Sequence, residues 1–266
     1  MNQWILASAL LLAVGVAGAE SDTSPAEEHA AALREAEAVG RELFAHETAQ
    51  RAASESARRV RGFRRDRAVA GVLSTRVDDR IEVEFVVPGD DGVPQVRYRA
   101  IANSDGQLLD GTERLATPEP LPADRARAFD VRQRAASYPF ERCGEDAAVI
   151  VLPEPGAGEG ALRAYTLASA GRNAVAAGGN HRMDVAADGS IVATRKFTNT
   201  CIQLGDDPRA VALTLTHLLD PHPTEIHVLL GYRTGKALYL LTTENEAMWA
   251  IENGAVRWVD RGGDGE

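Results

Sequence analysis

Cysteine, methionine and tryptophan are all scarce in this chain: it holds two Cys, three Met and three Trp among 266 residues, and aromatics make up 5%. With two thiols there is no second cysteine pair for a zinc ribbon or a thioredoxin-type centre. Gly-x-Ser-x-Gly and His-Glu-x-x-His are both missing, which removes the nucleophile elbow and the common metalloprotease helix. A basic excess is missing too. Lys and Arg number 29 against 39 Asp and Glu, a net charge of −10, and a surface that tracks nucleic-acid phosphates needs the opposite balance. No segment after the first nineteen residues holds the roughly 20 apolar residues of a membrane span.

Those first nineteen residues, MNQWILASALLLAVGVAGA, hold no charged side chain. Ile5–Val16 is a compact apolar block, and Ala17-Gly18-Ala19 places small residues before Glu20, the order of a secretory signal peptide. No Cys follows, so a lipoprotein anchor is excluded. The mature chain is expected to be periplasmic or secreted, without a transmembrane anchor. In an oxidising compartment the two leftover cysteines read as a Cys143–Cys201 disulfide, with a lone catalytic thiol as the sharper alternative. The bridge would close a loop of about 59 residues, worth up to roughly 4 kcal/mol in the chain-entropy picture.

Ser21 to Arg59 carries one long helical pattern. Ser24-Pro25-Ala26-Glu27 fits an N-cap with Pro at the first helical position, and Leu33, Ala36, Gly40, Leu43, Phe44 and Glu47 share a narrow face before the pattern dissolves into Ala and Ser. Val69–Gly111 reads as a β-meander. Ile81–Val87 and Gln95–Ile101 alternate, and a turn at Asp90-Asp91 sets Glu82 opposite Arg99 and Glu84 opposite Arg97, with Val83 beside Tyr98 and Phe85 beside Val96. That charged face reads as solvated. Thr117–Leu121 is a Pro-broken linker, followed by a modest helix over 122–134. Four strands are then expected at Ala147–Leu152, Ala161–Ala168, His181–Ala186 and Ser190–Phe197, the last two joined across Asp188-Gly189. Gly156, Gly158 and Gly160 lead into an alternating strand and not a helix, so they mark a hairpin loop and not a phosphate cradle. After Cys201, Ala210–His217, Ile226–Gly231 and Lys236–Thr242 read as strands. Asn253-Gly254 marks a two-residue hairpin that sets Trp249 opposite Trp258.

Three groups of side chains could carry function. His217, His222 and His227 fall at spacings of five and five. A hairpin about His222 would oppose the outer two, with Asp220 and Glu225 nearby, and three such ligands with an open fourth position could hold a hydrolytic zinc. The bland alternative is a hydrogen-bonded His pair on a half-buried sheet. Trp249 and Trp258 form either a packing pair or a stacking platform for a sugar or peptide. Arg58, Arg59, Arg61, Arg64, Arg65 and Arg67 suit phosphate or carboxylate ligands, anionic lipid head groups included; they also complement a helix C-terminus. Asp184 and Asp188 beside His181 are the only carboxylate cluster inside the disulfide loop.

From about Phe140 to Leu204, Cys143, Gly178-Gly179-Asn180-His181-Arg-Met-Asp-Val185, Asp188-Gly189 and Lys196-Phe-Thr-Asn-Thr-Cys201 together resemble a segment of uncharacterised exported proteins of Gram-negative bacteria. His222-Pro-Thr-Glu-Ile-His-Val228 through Trp249 is similar to the same group. The resemblance implies a periplasmic address and a disulfide, and it brings no catalytic role. The fold expected is α+β: a long N-terminal helix plus antiparallel β-meanders, with a C-terminal half mainly β and one disulfide. Its divisions are a signal peptide (1–19), an N-terminal helix (20–60), a first meander (61–121), a helical joint (122–137), a disulfide-clamped β-rich region (138–260) and a tail (261–266). Function is expected to be non-catalytic binding of an envelope protein or polymer, without a cofactor; the alternative is a zinc-assisted hydrolase using the three histidines.

Overall fold

The computed structural model describes residues 24–144, 146–170 and 174–260; the expected signal peptide and the 261–266 tail lie outside them. Helix α1 (Pro25–Glu28) is closed by a capping box, in which the Ser24 hydroxyl accepts from the Glu27 N–H and the Glu27 carboxylate accepts from the Ser24 N–H. His29 interrupts the pattern, so what reads as one helix is two, and α2 runs over Ala30–Ala57. A first antiparallel sheet follows, in the order β1 (Gly71–Val77), β2 (Arg80–Pro88), β3 (Pro94–Asn103), β4 (Glu113–Pro120), and then helix α3 (Ala123–Ser137). The second sheet contains β5 (Ala147–Pro153) and β6 (Leu162–Ala168). A short β7 (Ala174–Ala176) then leaves it, before β8 (His181–Val185) and β9 (Ile191–Lys196) complete it in the order β5-β6-β8-β9. β7 pairs instead with β10 (Gln203–Gly205). A third sheet is built from β11 (Ala212–His217), β12 (Ala237–Thr242), β13 (Met248–Glu252) and β14 (Ala255–Val259), with helix α4 (Glu225–Thr234) between its first two strands.

The mixed α+β character stands, and so does the four-strand unit inside the disulfide loop, antiparallel throughout. Three readings need correction. Thr117–Leu121 is not a linker: Thr117–Pro120 ends strand β4, whose Glu119 and Pro120 pair with Val96 and Gln95 of β3. Ile226–Gly231 is not a strand but the body of α4, and β11 and β12 run parallel because a helix carries the crossover. The chain there is a βαβ unit. In the first meander Glu84 faces Arg99 and Phe85 faces Tyr98, two residues away from the expected register, with a bulge between Phe85 and Val86. A shift of two keeps every side chain on its face, so the alternation survived while the partners changed.

Helix α2 threads through three cores. Its first turns put Leu33 and Ala36 against the third sheet, with Leu238, Leu240, Trp249 and Ile251. Val39 and Leu43 then meet Ile150, Tyr165 and Leu167 of the second sheet and Ile226 and Leu229 of α4. Fully burying side chains such as Leu43 and Leu229 contributes about 1.5–3 kcal/mol each. Farther along, Ala45, Ala49, Ala53 and Ala57, one turn apart on a single face, lie on Ile81, Val83, Phe85 and Tyr98 of the first sheet. The stretch that dissolves into Ala and Ser is therefore a buried face of the helix, where methyl side chains lie on the first sheet. Helix α3 closes the other side of the second sheet through Val131 and Ala135, against Val149, Ala164, Met183 and Val185. Strand β5 thus has a helix on each face, which accounts for its unbroken apolar run.

Cys143 and Cys201 are bonded, with their Cα atoms 5.4 Å apart. The bridge joins the approach to β5 to the segment after β9. Gly179 sits in the left-handed region at φ +80°, and a Cβ there would fall 2.3 Å from the Cys143 Sγ. Thr198 accepts the Gly179 N–H (3.2 Å) and the Asn180 side chain accepts the Ala168 N–H (3.0 Å). Gly178-Gly179-Asn180 and Phe197–Cys201 therefore pack into one knot around the bridge, and their residue types are dictated by crowding and hydrogen bonding.

Candidate functional site

The three histidines do not converge. His217 ends β11, His227 lies in the first turn of α4, and their rings meet edge to face at 4.4 Å. His222, on the intervening loop, turns instead to His29, with ring centroids 4.9 Å apart. His217 Nε2 is held by Asp220 (2.7 Å), and Asp220 is gripped by the Arg195 guanidinium at 2.6 and 2.7 Å. The Thr224 N–H donates to His227 Nδ1 (3.0 Å), which occupies that nitrogen and caps the helix. Burial, reinforced by His217, holds the His227 imidazole well below its ordinary pKa. Among the described residues no group of three His, Cys, Asp or Glu side chains is placed to hold a metal ion. The hairpin that would have opposed His217 and His227 about His222 is replaced by the helical crossover. His217 and His227 are both buried, one at a strand end and one on a helix, and each is hydrogen-bonded to its own partner and not to the other.

Trp249 and Trp258 are opposed across β13 and β14, and Asn253 and Gly254 both take positive φ (51° and 81°), as the two-residue turn requires. Trp249, however, is fully buried, and its indole N–H donates to Thr242 Oγ1 (3.1 Å). Trp258 packs on the same core, half-buried. A platform for a ligand is therefore not what this pair provides: α2 and α4 cover the face. The acid cluster within the disulfide loop also disperses. Asp184 pairs with Arg182 (2.8 Å), Asp188 accepts from Ser190 in its turn (2.8 Å), and His181 stacks on Phe140 with centroids 4.5 Å apart.

The carboxylates of β2 behave unlike a solvated ladder. Arg125 reaches down from α3 to Glu82 (2.6 Å) and Glu84 (2.9 Å), and Glu84 is 1% exposed. Burial raises the Glu84 carboxyl above its ordinary range even with Arg125 and Arg99 beside it. A second buried net ties Tyr165 and Arg182 to Glu225 (3.1 Å each). Its members are matched to one another, so both networks fasten elements together.

The arginine-rich segment is different. After α2 the chain turns through Gly62 into a short 3-10 turn, Phe63–Arg65. Phe63 is wedged edge-on against Phe85 (5.2 Å) and Tyr98 (5.0 Å), which pins the turn to the first sheet. Arg58, Arg59, Arg61, Arg64, Arg65 and Arg67 are all exposed. The one acid in the run, Asp66, points inward: it accepts both Arg97 Nη1 contacts (3.1 Å) and the Tyr98 hydroxyl (2.8 Å). Those partners, outweighing burial, hold its carboxyl below the usual range. Asp66 is thus spent on anchoring, and among the described residues no carboxylate pairs with the six guanidiniums. Nothing in the sequence pattern told whether Asp66 would neutralise its neighbours; the residues that claim it come from β3.

Comparison with protein-family models, with curated proteins and with solved structures gives no match for this chain.

Proposed function

We propose that the chain is exported to the periplasm or beyond and works as a non-catalytic binding module, gripping an anionic envelope polymer through the arginine-rich turn after α2. The observation that carries this reading is the diversion of Asp66 into the sheet, which leaves six exposed guanidiniums without a carboxylate partner among the described residues. Guanidiniums offer paired donors that fit carboxylate and phosphate groups bidentately. A polymer repeating such groups would engage several at once. The net charge of −10 on the whole chain repels the same polymer from the remaining surface, so encounter is steered to this one end. The disulfide, and the lack of any helix long and apolar enough to cross a membrane among the described residues, fit an exported protein.

Titration of the oxidised protein with polyphosphate tests the reading. An exposed charge contact is worth about 0.2–1 kcal/mol, so a combined Arg61→Gln, Arg64→Gln, Arg65→Gln variant is expected to bind roughly tenfold or more weakly, with its melting temperature unchanged. Equal binding by variant and wild type would refute it. So would binding to phosphatidylglycerol vesicles without binding to the polymer.

A further inference from the structure

A cleft of about 630 Å³ lies away from the arginine-rich turn, where α2, α3 and the start of β5 meet β7. That is within the range of small-molecule sites, about 300–1,000 Å³. Its charges nearly cancel. Arg233 is clasped by both oxygens of Glu47 (2.6 and 2.8 Å), and Asp206 is held by Lys236 (2.5 Å). Asp146 and Arg51 are both exposed and opposite in sign. What remains is Arg132 of α3.

Among the described half-buried arginines, Arg132 differs in holding neither a carboxylate nor a backbone carbonyl; Arg127, for instance, donates to the Gly160 and Ala186 carbonyls. Arg125, Arg182, Arg195 and Arg233 each hold a carboxylate. Among the described residues Arg132 makes one hydrogen bond, from Nη1 to the side-chain oxygen of its neighbour Gln133 (2.5 Å), and its Nε–H, shut off from water, meets no acceptor. No ion pair involves it among the described residues. Burial alone depresses its pKa, with no acid opposing the effect. The group is also held in place, because Gly71 at the start of β1 lies so close that a Cβ there would come 2.8 Å from Nη1. A half-buried guanidinium whose Nε–H is shut off from water and finds no acceptor among the described residues lacks a partner that such a group ordinarily has.

We infer that this cleft binds a small organic carboxylate, whose two oxygens complete the hydrogen bonding of Arg132 while its apolar body lies against Phe44, Val149 and Val175. A planar carboxylate matches the guanidinium fork. The apolar wall favours a carboxylate with a hydrocarbon or aromatic body over a bare anion. The site is independent of the polymer-binding turn.

The probe is benzoate, with formate and inorganic phosphate as comparators at constant ionic strength. Affinity is followed by calorimetry, and the Arg132 Nε–H resonance by NMR in the unmodified protein. Saturable benzoate binding that moves this resonance is expected, with formate at least about tenfold weaker. Arg132→Met should abolish benzoate binding while raising the melting temperature of the free protein, since it removes a half-buried charge that holds no carboxylate among the described residues. Arg132→Lys keeps the charge without the fork and should bind at least about tenfold more weakly. The Arg61/Arg64/Arg65 glutamine variant should bind benzoate as the wild type does. An unmoved Arg132 resonance, unchanged affinity in Arg132→Met, or preference for phosphate would each overturn the inference.

Discussion

Asp220 shows how burial and charge compete at a single residue. Burial alone would raise its carboxyl, but hydrogen bonding to His217 and the double contact with Arg195 outweigh this and hold it below the ordinary value. Its stabilising contribution is therefore present above about pH 4, the unfolded value, and is lost as the pH falls through the depressed folded value. Asp220→Asn should cost about 1–3 kcal/mol at neutral pH, with the gap to wild type closing in acid; urea unfolding at the two conditions measures it. A gap that stays constant would mean that the charge is not what stabilises. Trp249 makes a second case. Because it is buried and hydrogen-bonded to Thr242, Trp249→Ala should cost about 3–5 kcal/mol of stability and leave polyphosphate affinity untouched. The Trp pairing was legible from Asn253-Gly254 alone, since turn geometry sets the register locally. Its burial was not, because that depends on helices distant in sequence. The same holds for Glu84, which alternation places correctly on the outer face of β2 and which Arg125 of α3 then covers.

At the scale of elements, local patterning placed the strands of the disulfide loop, missed the register of the β2–β3 hairpin by two, and failed where a helix served as a connector. The four strands inside the disulfide loop follow their alternation and turns. Ile226–Gly231 misled because a buried helix of ten residues is apolar all round, so its run looks like a buried strand. The correcting signals were present: Thr224 before Glu225 as an N-cap, and Gly235 in the left-handed C-cap position. The crossing of α2 over α4 gives the sharpest test of an element contact. A Cβ on Gly40 would lie 2.6 Å from Val228 Cβ and 2.8 Å from the Glu225 carbonyl oxygen. Intrinsic propensity favours Ala over Gly in a helix by about 1 kcal/mol, yet Gly40→Ala should destabilise by about 1–3 kcal/mol through this clash. Adding Val228→Ala should recover part of the loss. A more stable Gly40→Ala protein would mean that the helices are not so close.

Across the whole molecule, α2 holds the three sheets in one body, and the disulfide secures the loop that contains the second. Replacing both cysteines by serine should cost about 2–4 kcal/mol, read from urea midpoints of oxidised wild type and variant; equal midpoints would show the bridge to be thermodynamically idle. The charge balance argued against nucleic acid and the first nineteen residues suggested export, but no one-dimensional pattern could show that Asp66 deserts its neighbours or that Arg132 lacks a carboxylate partner among the described residues. Both facts arise from chain segments brought together only by folding. The central functional claim is that several guanidiniums of one turn act together on a polyanion. The salt dependence of polyphosphate affinity measures this most directly, since each neutralised phosphate releases a counterion. A logarithmic slope corresponding to about four to six contacts, falling by about three in the Arg61/Arg64/Arg65 glutamine variant, is predicted. A slope near zero, or one that the variant shares, would contradict it.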